Sequence, residues 1–99
     1  MSSKLKALWH MQGGECFYCG RATWLRSSGE SAKLAKARLG IQTIRDLRKR
    51  EASQEHLKRR ADGGCNGMHN LVMSCVECNQ NRDQKPPLLH FAEMRAANT

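Results

Sequence analysis

The stretch Glu55–Arg82 reads EHLKRRADGGCNGMHNLVMSCVECNQNR, and its reading decides the fold. It opens on a carboxylate and an imidazole side by side, Glu55-His56. A polar loop follows, punctuated by Gly63-Gly64 and Gly67 and too long for a simple hairpin turn. Loops of that length are often functional. Leu71-Val-Met-Ser74 reads as a strand returning against Ala52-Ser-Gln-Glu-His-Leu57, which is short and mildly alternating. Val76 to about Gln84 continues as a helix, ended by Lys85-Pro86-Pro87. A hard-oxygen donor, a proton acceptor and the thiols of Cys75 and Cys78 thus fall within one short span. Such a set points to metal-assisted hydrolysis beside a structural zinc.

The zinc expectation rests on a second pair of thiols outside this stretch. Four of the five cysteines form two C-x-x-C pairs, Cys16/Cys19 and Cys75/Cys78. Each pair supplies two soft ligands from one tight turn, and two pairs complete a tetrahedral site. A redox dithiol is the competing reading of a single pair. No βαβ pattern surrounds Cys16 and Cys19, and a second pair exists, so the shared metal is favoured. The distance in sequence from Cys19 to Cys75 is far beyond that of a compact zinc finger. The chain between them must therefore fold in its own right. Cys65 is left over and is assigned no role.

A chain of 99 residues makes one domain, with a core small enough to welcome a metal staple. Its 17 Lys and Arg against 9 acidic residues give a formal charge of +8, which favours polyanions, nucleic acid first. No apolar run is long enough to span a bilayer. The opening MSSKLKALWHMQGG lacks the apolar core and cleavage site of a secretory signal, so an intracellular (cytoplasmic) protein with no membrane partner is expected.

The remaining elements read as an α+β domain. Residues 3–12 form a short helix with Leu5, Leu8 and Trp9 on one face, stopped by Gly13-Gly14. Residues 13–20 make a zinc knuckle, and 21–29 a short strand or extended piece followed by a loop. A helical insertion spans 30–50. Residues 31–39 are rich in strong helix formers, Gly40 ends them, and Thr43-Ile-Arg-Asp46 opens a second helix as a capping box. Six basic residues lie between Lys33 and Lys49, either a solvated face or a DNA-facing one. The ββα core spans 52–84, and a final helix 87–97.

The C-x-x-C at 16–19, an acidic residue followed by His56, the Gly63-Gly64 loop, Asn70-Leu-Val-Met-Ser-Cys75 and Cys75-x-x-Cys78-Asn79 with basic residues after it resemble the HNH endonuclease family. The likeness is to its ββα-metal unit with a four-cysteine structural zinc. Its naming residues fall on His56, Asn70 and Asn79, the variant with Asn in third position. The family usually has Asp before the His, where this chain has Glu55. The resemblance implies a metal-dependent endonuclease that hydrolyses DNA phosphodiester bonds. His56 would be the general base that activates water, and Asn70 would bridge the loop that holds it. Glu55 and Asn79 would hold a catalytic Mg²⁺ or Mn²⁺, and Cys16, Cys19, Cys75 and Cys78 the zinc. Arg82 and Lys85 would contact DNA phosphates, or else favour the C-terminus of their helix. Such small proteins are common in bacteria and bacteriophages. The alternative is a catalytically inactive, zinc-stabilised DNA-binding or adaptor module docked on a larger DNA-processing machine. Successive strand side chains point to opposite faces, so Glu55 and His56 meet at one ion only if the backbone bends or the ion lies off one face. His10, His69 and His90 have no partner spacing that singles them out.

Overall fold

The computed structural model describes residues 3–83 and 85–97. Its centre is a two-stranded antiparallel hairpin, β1 (Ala52–His56) and β2 (Leu71–Cys75), paired from Ala52 opposite Cys75 to His56 opposite Leu71. Around it stand five α-helices among the described residues: α1 (Ser3–Met11), α2 (Ala32–Leu39), α3 (Ile44–Lys49), α4 (Val76–Arg82) and α5 (Pro87–Ala97). The result is a small α+β fold. Residue 84, expected at the end of a helix, lies outside the described residues; α4 itself ends at Arg82, where Asp83 turns to φ +47°.

Alternation along the hairpin assigns its two faces. Ala52, Leu71 and Met73 pack with Leu5 and Leu8 of α1 and with Leu25, forming the main core, and Trp9 lies against it. Ser53 and Glu55 are on the other face, toward α4, where Asn79 Nδ2 donates to Ser53 Oγ (3.3 Å) and Arg82 Nε donates to Glu55 (2.7 Å). The outer edge of β2 is covered by the chain after α1. Gln12 brackets Met73, donating from Nε2 to its carbonyl and accepting its N–H at Oε1, both at 2.8 Å, while Phe17 N–H donates to the same carbonyl (3.0 Å). An edge so covered is withdrawn from pairing with other chains.

Of the short strand or extended piece expected early in residues 21–29, the extended piece is what forms. That segment makes only single-residue pairings, Glu15 with Ala22 and Trp24 with Glu51, and then a 3₁₀ turn at Arg26–Ser28. It meets β1 only at its start, through Trp24 N–H to the Arg50 carbonyl and Ala52 N–H to the Trp24 carbonyl, both 2.9 Å. Trp24 then serves as the hydrophobic anchor of the helical insertion, packing on Ala35 and Leu47. Both insertion helices are capped by their own sequence. Ser31 Oγ accepts from Leu34 N–H, Thr43 Oγ1 accepts from Asp46 N–H, and Gly40 closes α2 at φ +70°, a conformation that glycine adopts without cost to a Cβ.

Candidate metal centre and hairpin site

The four sulfurs of Cys16, Cys19, Cys75 and Cys78 lie within 4.8 Å of one another. Two turns deliver them. In the knuckle, Cys16 N–H donates to the Arg21 carbonyl (2.9 Å) and Gly20 N–H to the Cys16 carbonyl (3.0 Å), folding Cys19 back over Cys16. Opposite, β2 runs into α4 with Cys75 at the N-cap, its sulfur accepting from Cys78 N–H at 3.4 Å. A tetrahedral zinc with bonds near 2.3 Å sets sulfurs about 3.8 Å apart; Cys19 and Cys75 stand at 3.9 Å. All four are buried, with Tyr18, Phe17, Phe91 and Met94 packed around them. Crowding divides the thiols: hydrogen bonds from Cys19, Cys75 and Cys78 hold Cys16 far below the usual thiol range, while Cys16, Cys19 and Cys75 push Cys78 far above it. Four buried sulfurs this close form one tetrahedral donor set, which fits one structural metal such as zinc.

At the far end of the hairpin, the loop between β1 and β2 is held by one amide. Asn70 Oδ1 accepts from Lys58 N–H (2.8 Å), and its Nδ2 donates to the carbonyls of Lys58 (3.0 Å) and Cys65 (2.7 Å). Asn70 is buried and saturates both strands of the loop stem. Gly64 allows the closure, because a Cβ there would meet the Lys58 carbonyl oxygen at 1.9 Å. The clamped loop presents Asn66, whose Oδ1 lies 2.7 Å from His56 Nε2. With the amide oxygen facing it, Nε2 is placed as the donor, which in the neutral tautomer leaves the lone pair on Nδ1. His56 remains partly open to solvent on the face of the hairpin shared with Leu71.

Glu55 points the other way. It is buried and ion-paired to Arg82, itself buried, at 2.7 Å. Arg82 also donates to the Lys85 carbonyl (2.9 Å). The second carboxylate oxygen of Glu55 has no partner, and neither do Tyr18 OH or either ring nitrogen of His90, although all are buried. The Tyr18 and His90 rings meet edge to face at 4.9 Å. Burial first, and the facing Glu55 carboxylate second, push the Tyr18 phenol well above its usual range. Among the described residues these are the buried side-chain polar atoms without a hydrogen bond, and they gather around the carboxylate next to His56. Asn79 sits one helical turn before Arg82 on the same face of α4. Glu55 and Asn79 therefore share a face, with the Glu55 carboxylate buried beside Arg82 and facing the Tyr18 phenol.

Of the two basic residues expected to meet DNA, Arg82 has its guanidinium committed to Glu55, whereas Lys85 is partly exposed and paired with Glu93 at 2.8 Å. Tyr18, Asn66 and His90 carried no signal in the sequence: only folding brings residues 18, 55 and 90 together, and Asn66 is one polar residue among several in a glycine-rich loop. Comparison with protein-family models, with curated proteins and with solved structures yields no match.

Proposed function

We propose that the protein is a metal-dependent DNA endonuclease of the HNH type, with a ββα unit stapled by a four-cysteine zinc. The observation that carries this reading is the Asn70 clamp, which fixes the loop against which His56 is hydrogen-bonded while its Nδ1 stays free. A ring so held is suited to take a proton from water attacking a phosphodiester. Asn66 sets the tautomer, and Asn70 sets the position of Asn66 by bonding the loop carbonyl of Cys65, its neighbour. Glu55 and Asn79 would hold Mg²⁺ or Mn²⁺, which when bound supplies charge neutralisation at the phosphate and the departing oxygen. Lys58 and Lys85, with the excess of positive charge over the chain, draw the substrate by its phosphates.

One observation favours a second reading, an inactive zinc-stabilised DNA-binding or adaptor module: Glu55 is buried and paired with Arg82, and a guanidinium beside a carboxylate competes with a cation for it. Supercoiled-plasmid cleavage across a series of divalent metals separates the two. The endonuclease converts plasmid to nicked or linear forms with Mg²⁺ or Mn²⁺, and EDTA stops it while the thiolate-bound metal is still retained. A binding module retards the plasmid in every metal and cuts it in none.

A further inference from the structure

Between the end of β1 and the start of α5 runs a cleft with two chemically different halves. One half, about 260 Å³, is lined by Lys58, Arg59, Arg82 and Lys85, with Asp62 as its acid. The other, about 370 Å³, is almost wholly apolar, formed by Phe17, Leu57, Pro86, Pro87 and Leu88. Leu57, Lys58, Pro86 and Pro87 line both, so the halves are continuous. The larger lies at the lower end of the roughly 300–1,000 Å³ of small-ligand pockets. Its rim carries Leu88, 81% exposed, and beside it Leu89, 48% exposed. The core has no use for these side chains where they stand.

We propose that this cleft seats one unpaired nucleotide of a DNA strand, its base on the apolar half and its phosphate on the cationic half. The inference rests on the nucleic-acid reading above and adds to it a subsite and a preference for unpaired DNA. Charge complementarity selects the occupant. Lys58 is exposed, and among the described residues no acidic side chain pairs with it; the ion pairs Arg59–Asp62 and Lys85–Glu93 are solvent-exposed, and such pairs yield readily to a phosphate. The aromatic ring of Phe17, flanked by the apolar pyrrolidines of Pro86 and Pro87, offers a surface for a planar base. A fully paired duplex presents phosphates but no free base face, so it satisfies only one half. Leu57 and Lys58 directly follow His56 in the chain, and Asn70, the clamp of the loop, also lines the apolar half.

The test uses the full chain with its zinc and no added Mg²⁺ or Mn²⁺, so that the strand stays intact. A single-stranded oligonucleotide carrying 2-aminopurine is titrated, with an abasic strand, a duplex of the same sequence and dAMP as competitors. Stacking predicts that 2-aminopurine emission changes on binding and that the abasic strand binds about tenfold more weakly. The duplex competes less well than the single strand. Leu88→Ser, at a position too exposed to unfold the protein, narrows the gap between intact and abasic strands. Lys58→Gln weakens both alike and lowers the salt dependence. Equal affinity for intact and abasic strands, silent 2-aminopurine, or a gap unchanged by Leu88→Ser overturns the cleft assignment and leaves the nuclease reading standing. Competition by dAMP as strong as that by the strand overturns it in favour of a free-nucleotide site. No binding to any DNA by the wild type overturns both.

Discussion

Glu55, Tyr18 and His90 illustrate how single residues carry the unresolved chemistry of this fold. Buried polar atoms are nearly always hydrogen-bonded, yet these three bring four unpartnered atoms to one place. His90 is the titratable member with a consequence for stability. Burial first, and then the neighbouring Lys85 charge, hold its imidazole below the usual value. A group that binds its proton less readily folded than unfolded favours the unfolded chain in acid. Its contribution is present above the unfolded pKa of about 6.5 and is lost as pH falls through that value toward the lower folded one. His90→Phe keeps a ring against Tyr18 and removes the titration. The fall in thermal midpoint from about pH 7.5 to pH 5.5 is therefore expected to be smaller in the variant than in the wild type. An equal fall would show that His90 does not titrate in this range. The sequence singled out His56, Asn70 and Asn79 through its resemblance to the HNH family, whose naming residues they match. It passed over His90 and Tyr18 because no local period links residues 18, 55 and 90.

At the scale of elements, the four-cysteine cluster and the hairpin loop each tie together parts of the chain. The cluster joins residues far apart in sequence, so removing one ligand removes a staple rather than a contact. Cys75→Ser is expected to lose the bound metal and most of the cooperative unfolding transition, since binding a structural metal is folding free energy in domains of this size. Elemental analysis and circular dichroism of the variant check this, and a folded, metal-free Cys75→Ser would contradict it. The loop behaves differently, because its closure depends on backbone approach and one amide. Gly64→Ala drives a Cβ into the Lys58 carbonyl, and Asn70→Ala leaves two partly buried carbonyls and an N–H without their partner. A typical lost hydrogen bond costs about 0.5–1.5 kcal/mol. Hydrogen exchange over residues 57–70 should speed in both variants while α2 and α3 keep wild-type protection; unchanged loop exchange would show that the clamp is dispensable. The helices were legible because Ser31, Gly40 and Thr43 sit where caps must be. Whether residues 21–29 begin as a strand or only an extended piece was not legible, since tertiary contact alone limits that segment to single pairings.

The molecule as a whole has a radius of gyration of 13.4 Å, close to the roughly 13 Å of a compact chain of 100 residues, and spreads a charge of +8 over that small surface. Its affinity for DNA should fall linearly on logarithmic axes as salt rises, because each phosphate neutralised releases counterions. Within the helical insertion Arg38 is held by Glu30 and Lys49 lies 3.8 Å from Asp46, whereas Lys33, Arg45 and Arg48 stand exposed. Reversing those three charges lowers the slope if the insertion faces DNA; an unchanged slope assigns the contact to the cleft side alone. The central claim is that the hairpin, its clamped loop and α4 form a hydrolytic centre, and that claim turns on His56. Losing a general base costs on the order of 10²–10⁴ in rate. The most direct measurement is cleavage of one supercoiled plasmid by wild type and His56→Ala side by side, in Mg²⁺ and in Mn²⁺, with zinc content and DNA affinity determined for both. The account predicts cutting by the wild type, a loss of that size in the variant, and equal zinc and DNA binding. A wild type that cuts in no metal, or a variant that cuts as fast, would contradict it.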